Sequence, residues 1–200
     1  MRASLLFLVL SCCVLCAGDT NTPPRSIDVT VVDWSPLHTF YIEQHTLSPN
    51  EVMQVWLVSA KNPRKRRLLY THSRSVKVLV SEKEDWLVIN DYAGSDNANV
   101  LLFRKQQGLE YKEVEDLTDK AWGFVAARTG RKNANRLPLD HTYAEVLRWT
   151  DKHTILLCLH GHLDRRNHVE DWLCLYDVSS ETFSTDFDKH NKQHTTLEAE

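Results

Sequence analysis

The feature that most constrains the fold is a series of short segments in which apolar and polar residues alternate, separated by polar turns. Alternation with a period of two is typical of β-strands, because successive side chains point to opposite faces of a sheet. Residues 52–58 and 67–70 indicate two strands of a hairpin around the polar turn 61–65. Residues 76–80 and 86–90 indicate a second hairpin of the same kind. The pattern therefore predicts antiparallel pairs of neighbouring strands.

The strands group in fours into three units, at about 28–72, 76–112 and 141–187. Units of roughly 40 residues with four strands are typical of β-propeller blades. We therefore predict a mainly β fold, with a single domain over residues 28–187. Its antiparallel four-stranded blade-like sheets form either a partial propeller or a sandwich.

One segment, residues 118–129, has the pattern of an amphipathic helix. Thr118 suits the N-cap, Trp122 occupies a position for a hydrophobic staple, and Gly130 suits the left-handed residue past the end. We expect this single helix to cover an exposed sheet edge or the gap between the second and third units. The polar stretch 188–200 is predicted to be a flexible tail.

Three short phrases resemble the blades of TolB-type β-propellers. They are residues 55–58 with 66–69, residues 81–88, and residues 175–180. The resemblance implies local blade-like sheets. It does not imply a closed ring, because propellers have about 4–8 blades and this chain has three units.

An exact repeat of four residues adds a second expectation. The sequence Glu-Asp-Trp-Leu occurs at residues 84–87 and again at residues 170–173. We therefore expect Trp86 and Trp172 to occupy equivalent positions in related sheets.

The amino-terminal residues 1–18 have the order of regions typical of a secretory signal peptide. A positive start is followed by a largely apolar run over residues 5–15 and by small residues before Asp19. We predict cleavage there, a linker over 19–27, and an exported protein that is periplasmic or secreted and has no transmembrane segment after cleavage. An alternative is a lipoprotein anchored through Cys12.

Cys158 and Cys174 are the two cysteines that remain after cleavage. Both lie in apolar segments joined by a polar loop, so a hairpin folded about that loop brings them opposite or nearly opposite one another. In an oxidising compartment this arrangement favours a cross-strand disulfide. The alternative is a pair of buried thiols that serve as small apolar residues.

A histidine-rich segment is the best candidate for a metal site. On a strand, residues two apart share a face, so His160 and His162 can grip one ion, and Asp164 and His168 can complete the ligands. This set predicts a zinc-dependent hydrolase as one alternative function. The competing interpretation is a strand end that runs into a polar loop.

Two basic clusters are candidates for an anion site. The first crowds one predicted hairpin tip and comprises Lys61, Arg64, Lys65, Arg66 and Arg67. The second follows the predicted helix and comprises Arg128, Arg131, Lys132 and Arg136. If the two loops met, they would bind phosphate, a lipid headgroup or an acidic polysaccharide. The competing interpretation is a solvated hairpin tip, neutralised by acids on the next hairpin.

Two further groups of residues have a structural and a functional interpretation. The turn containing Asp91, Ser95, Asp96 and Asn97 offers oxygens to calcium, although tight turns favour the same residue types. Six tryptophans are many for 200 residues. They form either core packing or an exposed platform for sugars or partners.

The function suggested by these features is a non-catalytic binding or protein-interaction domain, with an unknown protein or polysaccharide partner. A net charge of −3 excludes binding to nucleic acid by bulk charge alone. The sequence has no Gly-x-Ser-x-Gly elbow and no phosphate-binding glycine loop. The alternatives are the metal-dependent hydrolase and an anion or glycan binder that uses the basic loop 61–67. No cofactor other than zinc is indicated.

Overall fold

The computed structural model describes residues 28–47, 52–132 and 134–198. The predicted signal peptide, the linker 19–27 and Cys12 lie outside the described residues.

The described residues contain three antiparallel meanders of four consecutive strands each, and we refer to them as sheets A, B and C. Sheet A contains β1 (Asp28–Trp34), β2 (Phe40–Thr46), β3 (Met53–Ser59) and β4 (Arg66–His72). Sheet B contains β5 (Val76–Val80), β6 (Trp86–Asp91), β7 (Asn97–Gln107) and β8 (Glu110–Asp116). Sheet C contains β9 (His141–Trp149), β10 (Thr154–Asp164), β11 (Asn167–Asp177) and β12 (Thr182–Phe183). The predicted mainly β fold of three four-stranded units is confirmed.

Sheets B and C are joined edge to edge, which the sequence pattern did not predict. Asn97 and Ala98 at the start of β7 pair in parallel with Thr142 and Tyr143 of β9. This short parallel contact merges the two meanders into one mixed sheet, while sheet A remains separate.

The turns that start the second strand of sheets A and B have the same geometry. Ser35 donates its N–H to the carbonyl of Phe40 at 3.0 Å, and its hydroxyl accepts the Phe40 N–H at 3.1 Å. Ser81 and Trp86 make the equivalent two bonds, both at 3.0 Å. In both turns the residue three positions after the serine has a positive φ, 54° in the first and 58° in the second. A buried serine therefore fixes the turn in each sheet.

Sheet B is the central layer, and the alternation of its side chains explains why. Leu87 and Ile89 of β6 pack with apolar residues of sheet A. Val88 and Leu102 point to the other face and pack with sheet C. All six residues of β6 are buried. A strand buried on both faces reads as a continuous apolar run, which is why β6 shows little polar alternation.

The predicted helix is present as α1 (Leu117–Arg128), and it packs between sheets B and C. Gly130 has a φ of +78° just past its end, as expected for a left-handed C-terminal residue. The capping prediction for Thr118 is wrong, because this residue lies inside the helix. Its hydroxyl accepts the N–H of Val100 at 2.7 Å and ties the helix to β7.

The stretch predicted as a flexible tail is ordered against sheet C over its described part. It forms a second helix, α2 (Asp188–Gln193), and strand β13 (Thr195–Thr196), which pairs with β11. Asn191 is buried and bonds to both backbone groups of Leu173, at 2.9 Å each. One buried amide therefore orders a segment whose other residues are mostly polar.

The expected equivalence of the two Glu-Asp-Trp-Leu segments is wrong. Trp86 is the first residue of β6, the second strand of its sheet, whereas Trp172 lies in the middle of β11, the third strand. The register of β11 shifts just before Trp172, where Asp171 has a φ of +47°. Identical residues thus fall at different places in the strand order.

Most of the tryptophans belong to the interior, in agreement with the packing interpretation. Trp149 is half-buried and Trp34 on β1 is 47% exposed. The buried tryptophans are Trp56, Trp86, Trp122 and Trp172.

Candidate functional site

The basic residues of the β3–β4 turn are held in a fixed loop. The side chain of Asn62 accepts the backbone N–H of Arg64 at 3.1 Å, and its carbonyl accepts the N–H of Lys65 at 2.8 Å. The N–H of Ser59 donates to the carbonyl of Lys65 at 2.9 Å and closes the hairpin. The Arg66 guanidinium donates to the carbonyl of Pro63 at 3.0 and 3.3 Å. Four successive cations therefore project from one constrained turn.

A second hairpin lies across from this turn and completes a cleft. Strands β7 and β8 are joined by a tight turn in which Gly108 has a φ of +54°. The cleft between the two hairpins has a volume of about 690 Å³. Its walls are formed by Thr39, Ser59, Arg64, Lys65, Arg66, Arg67, Lys105, Gln107, Gly108, Leu109 and Glu110.

Cations dominate the walls of this basic cleft. Five of the lining side chains are cationic and one, Glu110, is acidic. Arg67 lies 3.6 Å from Glu110, and both side chains are about half exposed, so water screens this pair. Arg64 and Lys65 are exposed, and neither makes an ion pair with any residue in the described part of the chain. The cleft therefore presents an excess of positive charge on a molecule whose net charge is −3.

Two buried acids position the inner cations of the cleft. Glu43 lies 3.5 Å from Arg66, and Glu84 lies 3.6 Å from Lys105. The side chain of Glu84 is only 1% exposed. These pairs restrict the two cations to the cleft walls, because a charged group in a buried site needs its partner.

Glu84 also connects sheet A to sheet B. Its carboxylate accepts the backbone N–H of Leu37 at 3.2 Å and the hydroxyl of Thr39. Burial raises the pKa of Glu84, but hydrogen bonds from the Ser35 and Thr39 hydroxyls and the nearby Lys105 ammonium outweigh burial, so the pKa lies below its usual value. Glu84 is therefore a buried carboxylate at neutral pH.

The structure brings together most of the first predicted anion set. Arg64, Lys65, Arg66 and Arg67 line the cleft, whereas Lys61 is exposed in the same turn and does not line it. Sequence reasoning missed Lys105, which reaches the cleft from another sheet. The sequence indicates a second hairpin tip here, because Lys105 lies near the end of a strand, shortly before Gly108.

The second predicted basic set lies at a different cleft and is largely compensated. Arg128 pairs with Asp188, and Arg131 donates to the backbone carbonyl of Glu198. The cleft of about 410 Å³ around them also contains Trp172 and shares no lining residue with the basic cleft. The two basic sets therefore do not form one site. Lys132 is exposed, and the side chain of Arg136 lies outside the description.

The predicted metal ligands are only partly brought together. His160 and His162 share the outer face of β10, with ring centroids 5.8 Å apart, and His168 lies directly opposite His162 on β11. Asp164 does not join them. Its carboxylate accepts the backbone N–H groups of Arg166 and Asn167 at 2.8 and 2.9 Å and caps the hairpin turn. Within the described ranges, no three His, Cys, Asp or Glu side chains converge on one point.

The predicted disulfide is not formed, and the strand register explains why. Cys158 is opposite Leu173, and Cys174 is opposite Leu157. Because the register is offset by one residue, the two thiols point to opposite faces of sheet C. Both cysteines are free, Cys174 buried and Cys158 half-buried. This supports the alternative of two separate thiols.

The calcium interpretation has no geometric support in the described turn. Asp91 accepts the hydroxyl of Tyr70 at 2.6 Å, and Asp96 accepts the hydroxyl of Ser95 at 3.1 Å. Asp96 also lies 3.2 Å from Nδ1 of His141. These carboxylates serve separate local contacts.

No protein-family model matches the chain, and the curated proteins include no match to it. Of the helices in the described residues, none is both long enough and apolar enough to cross a membrane.

Proposed function

We propose that the protein is an exported, non-catalytic binding domain that holds an acidic polysaccharide in the basic cleft. The observation that carries this proposal is the convergence of five cationic side chains from two hairpins on one cleft, where Arg64 and Lys65 have no ion-pair partner among the described residues. Export is supported by the signal-peptide pattern of residues 1–18.

The chemistry of the lining side chains suits sulfate and carboxylate groups on a sugar chain. A guanidinium presents its donors in a planar fork that matches an oxyanion with two parallel hydrogen bonds. Arg64 and Arg67 supply such forks, and Lys65 adds a mobile point charge. Gln107 offers a neutral amide to sugar hydroxyls beside the charged positions, and the Thr39 hydroxyl, which donates to Glu84, can accept a hydrogen bond from one.

The same walls favour a polysaccharide over single-stranded nucleic acid. Proteins that bind single strands stack bases on aromatic side chains. No aromatic residue is among the described residues that line the cleft. The positive cleft then attracts the sulfates or carboxylates of the polysaccharide to one part of a protein that is acidic overall.

A binding measurement with a matched control tests the proposal. The probes are a heparin hexasaccharide, which is sulfated, and a polygalacturonate oligomer, which is carboxylated, titrated calorimetrically at low salt. We expect Arg64→Ala/Lys65→Ala to weaken binding by about tenfold or more, since hydrogen bonds to charged groups contribute roughly 1.5–3 kcal/mol. Lys152→Ala/Arg165→Ala removes the same charge from exposed turns of sheet C and should leave the affinity within about twofold.

Three results would count against the assignment. One is that neither polysaccharide binds at low salt. Another is that the two double variants lose the same affinity, which would indicate bulk charge and not the cleft. The third is that a single-stranded oligonucleotide of equal charge binds as tightly as the hexasaccharide. A preference between the two polysaccharides identifies the oxyanion.

A further inference from the structure

Sheet C carries a row of histidines on its outer face, remote in sequence from the basic cleft. His162 on β10 lies directly opposite His141 on β9 and His168 on β11. His160 lies two residues before His162 and therefore on the same face. All four are half-buried. The sheet register thus adds His141 to the histidines that the sequence singled out.

The backbone that carries this row packs closely against other residues on the opposite face. Gly161, between His160 and His162, is buried, and a Cβ there would lie 3.0 Å from both Trp122 and Leu139. This close approach presses β10 against helix α1. The two histidines that flank Gly161 therefore project from the face of β10 that points away from this packing.

Two of the separations between the rings are close to the separation on a shared metal ion. With metal–nitrogen bonds of about 2.0–2.1 Å in a tetrahedral site, the centroids of two bound imidazoles lie roughly 5 Å apart. The centroids of His141 and His162 are 4.7 Å apart, and those of His160 and His162 are 5.8 Å apart. The rings must turn before their nitrogens can meet at one ion, because His141 and His162 are stacked with an interplanar angle of 21° and no three such side chains of the described residues converge as they stand. Rotation about the second side-chain torsion of histidine meets a broad, shallow potential.

A carboxylate beside the row provides a second, independent indication. Nδ1 of His141 lies 3.2 Å from the carboxylate of Asp96. A metal-binding histidine usually donates its other ring N–H to a carboxylate, which fixes the tautomer and leaves Nε2 for the ion. Asp96 thus prepares His141 as a ligand.

We propose that His141, His160 and His162 form a binding site for Zn²⁺ or Cu²⁺, in which His168 or a water molecule supplies the fourth ligand and Asp96 orients His141. Imidazole nitrogen is a preferred ligand of both ions. The site replaces the predicted ligand Asp164, which caps its own turn, with His141 from the neighbouring strand. It does not depend on the polysaccharide proposal.

Calorimetric titration of the EDTA-treated protein with ZnCl₂ and with CuSO₄ at pH 7.5 tests the site. We expect one ion per chain with a dissociation constant in the micromolar range or below. His162→Ala should weaken binding at least tenfold. Asp96→Asn, a change at an exposed position, should weaken it about 10–100-fold without disturbing the fold.

The chain supplies a matched control in a second histidine pair. His190 and His194, at α2, are stacked with centroids 4.1 Å apart. The His190→Ala/His194→Ala variant should keep the full affinity. The proposal is overturned if no ion binds, if this control loses the binding, or if neither His162→Ala nor Asp96→Asn weakens it. We expect the Arg64→Ala/Lys65→Ala protein to bind zinc with unchanged affinity. This result would show that the metal site is independent of the basic cleft.

Discussion

At the scale of single residues, Glu84 shows how one buried charge serves both fold and site. It connects the Leu37–Thr39 turn of sheet A to sheet B and holds Lys105 at the wall of the basic cleft. Its backbone has a φ of +58°, in the left-handed region that residues other than glycine rarely adopt.

The lowered pKa of Glu84 predicts a specific pH dependence of stability. A carboxyl group whose pKa is lower in the folded than in the unfolded state stabilises the fold above the unfolded value, and this contribution is lost as the pH falls through the folded pKa. The ordinary value is 4.5. We therefore expect Glu84→Gln to lower the free energy of unfolding by about 1–3 kcal/mol at pH 7, and by clearly less at pH 3. Urea unfolding at both pH values measures the difference, and an equal loss at the two would contradict this role.

The two cysteines show how strand register determines the chemistry of single residues. Burial, with Asp171 and Glu145 nearby, raises the pKa of the Cys158 thiol to about 11, and burial with Cys158 nearby raises that of Cys174 to about 12. We expect both thiols to be free in the native protein without reductant. Cys158 should react slowly with iodoacetamide at pH 8, and Cys174 only after unfolding. A peptide map that finds residues 158 and 174 joined by a disulfide would show that the register is wrong.

At the scale of elements, the sequence predicts what is local and misses what depends on register. The alternating pattern identifies the three four-stranded units, because each strand pairs with its chain neighbour. The Glu-Asp-Trp-Leu repeat gave a wrong prediction. Its first copy begins the second strand of sheet B, whereas its second copy lies at a bulge in the third strand of sheet C, at Asp171. The ordered segment α2 was missed because its packing depends on one amide, that of Asn191.

The packing of β10 against α1 gives a test at this scale. Gly161→Ala introduces a Cβ 3.0 Å from Trp122 and Leu139 and 3.1 Å from the backbone of His141. We expect a loss of about 1–3 kcal/mol in the free energy of unfolding, as in other overpacked cores. Gly123→Ala in α1 is the control, since its Cβ meets no atom within 4 Å. Alanine there should stabilise the helix by up to about 1 kcal/mol, and equal effects of the two changes would argue against the packing.

At the scale of the whole molecule, sheet B unites the other two sheets. Ile89 belongs to the core shared with sheet A, and Leu102 to the core shared with sheet C and α1. Both are 1% exposed or less. A perturbation on either face of sheet B therefore affects a layer that both cores require.

This arrangement predicts cooperative unfolding. We expect Ile89→Ala and Leu102→Ala each to lower the free energy of unfolding by about 2–5 kcal/mol, and each variant to unfold in a single transition. Tryptophan fluorescence and far-ultraviolet circular dichroism, followed in parallel through a urea series, measure this. Two separate transitions in either variant would show that one outer sheet unfolds on its own.

The basic cleft was predicted from the sequence only in part. The cluster 64–67 is visible as consecutive cations, but Lys105 and Glu110 come from a hairpin about 40 residues later in the sequence. Their approach depends on the stacking of sheet A on sheet B. The histidine row behaves likewise, since His141 joins His160 and His162 only through the pairing of β9 with β10.

The most direct test of the proposed function locates the ligand on the protein. Uniformly ¹⁵N-labelled protein is titrated with the heparin hexasaccharide at low salt, and the backbone amide shifts are followed by NMR. The proposal predicts saturable shifts concentrated at Thr39, at residues 59–67 and at residues 105–110, with little change at residues 128–132. Shifts centred on residues 128–132, or spread evenly over exposed lysines and arginines, would contradict it.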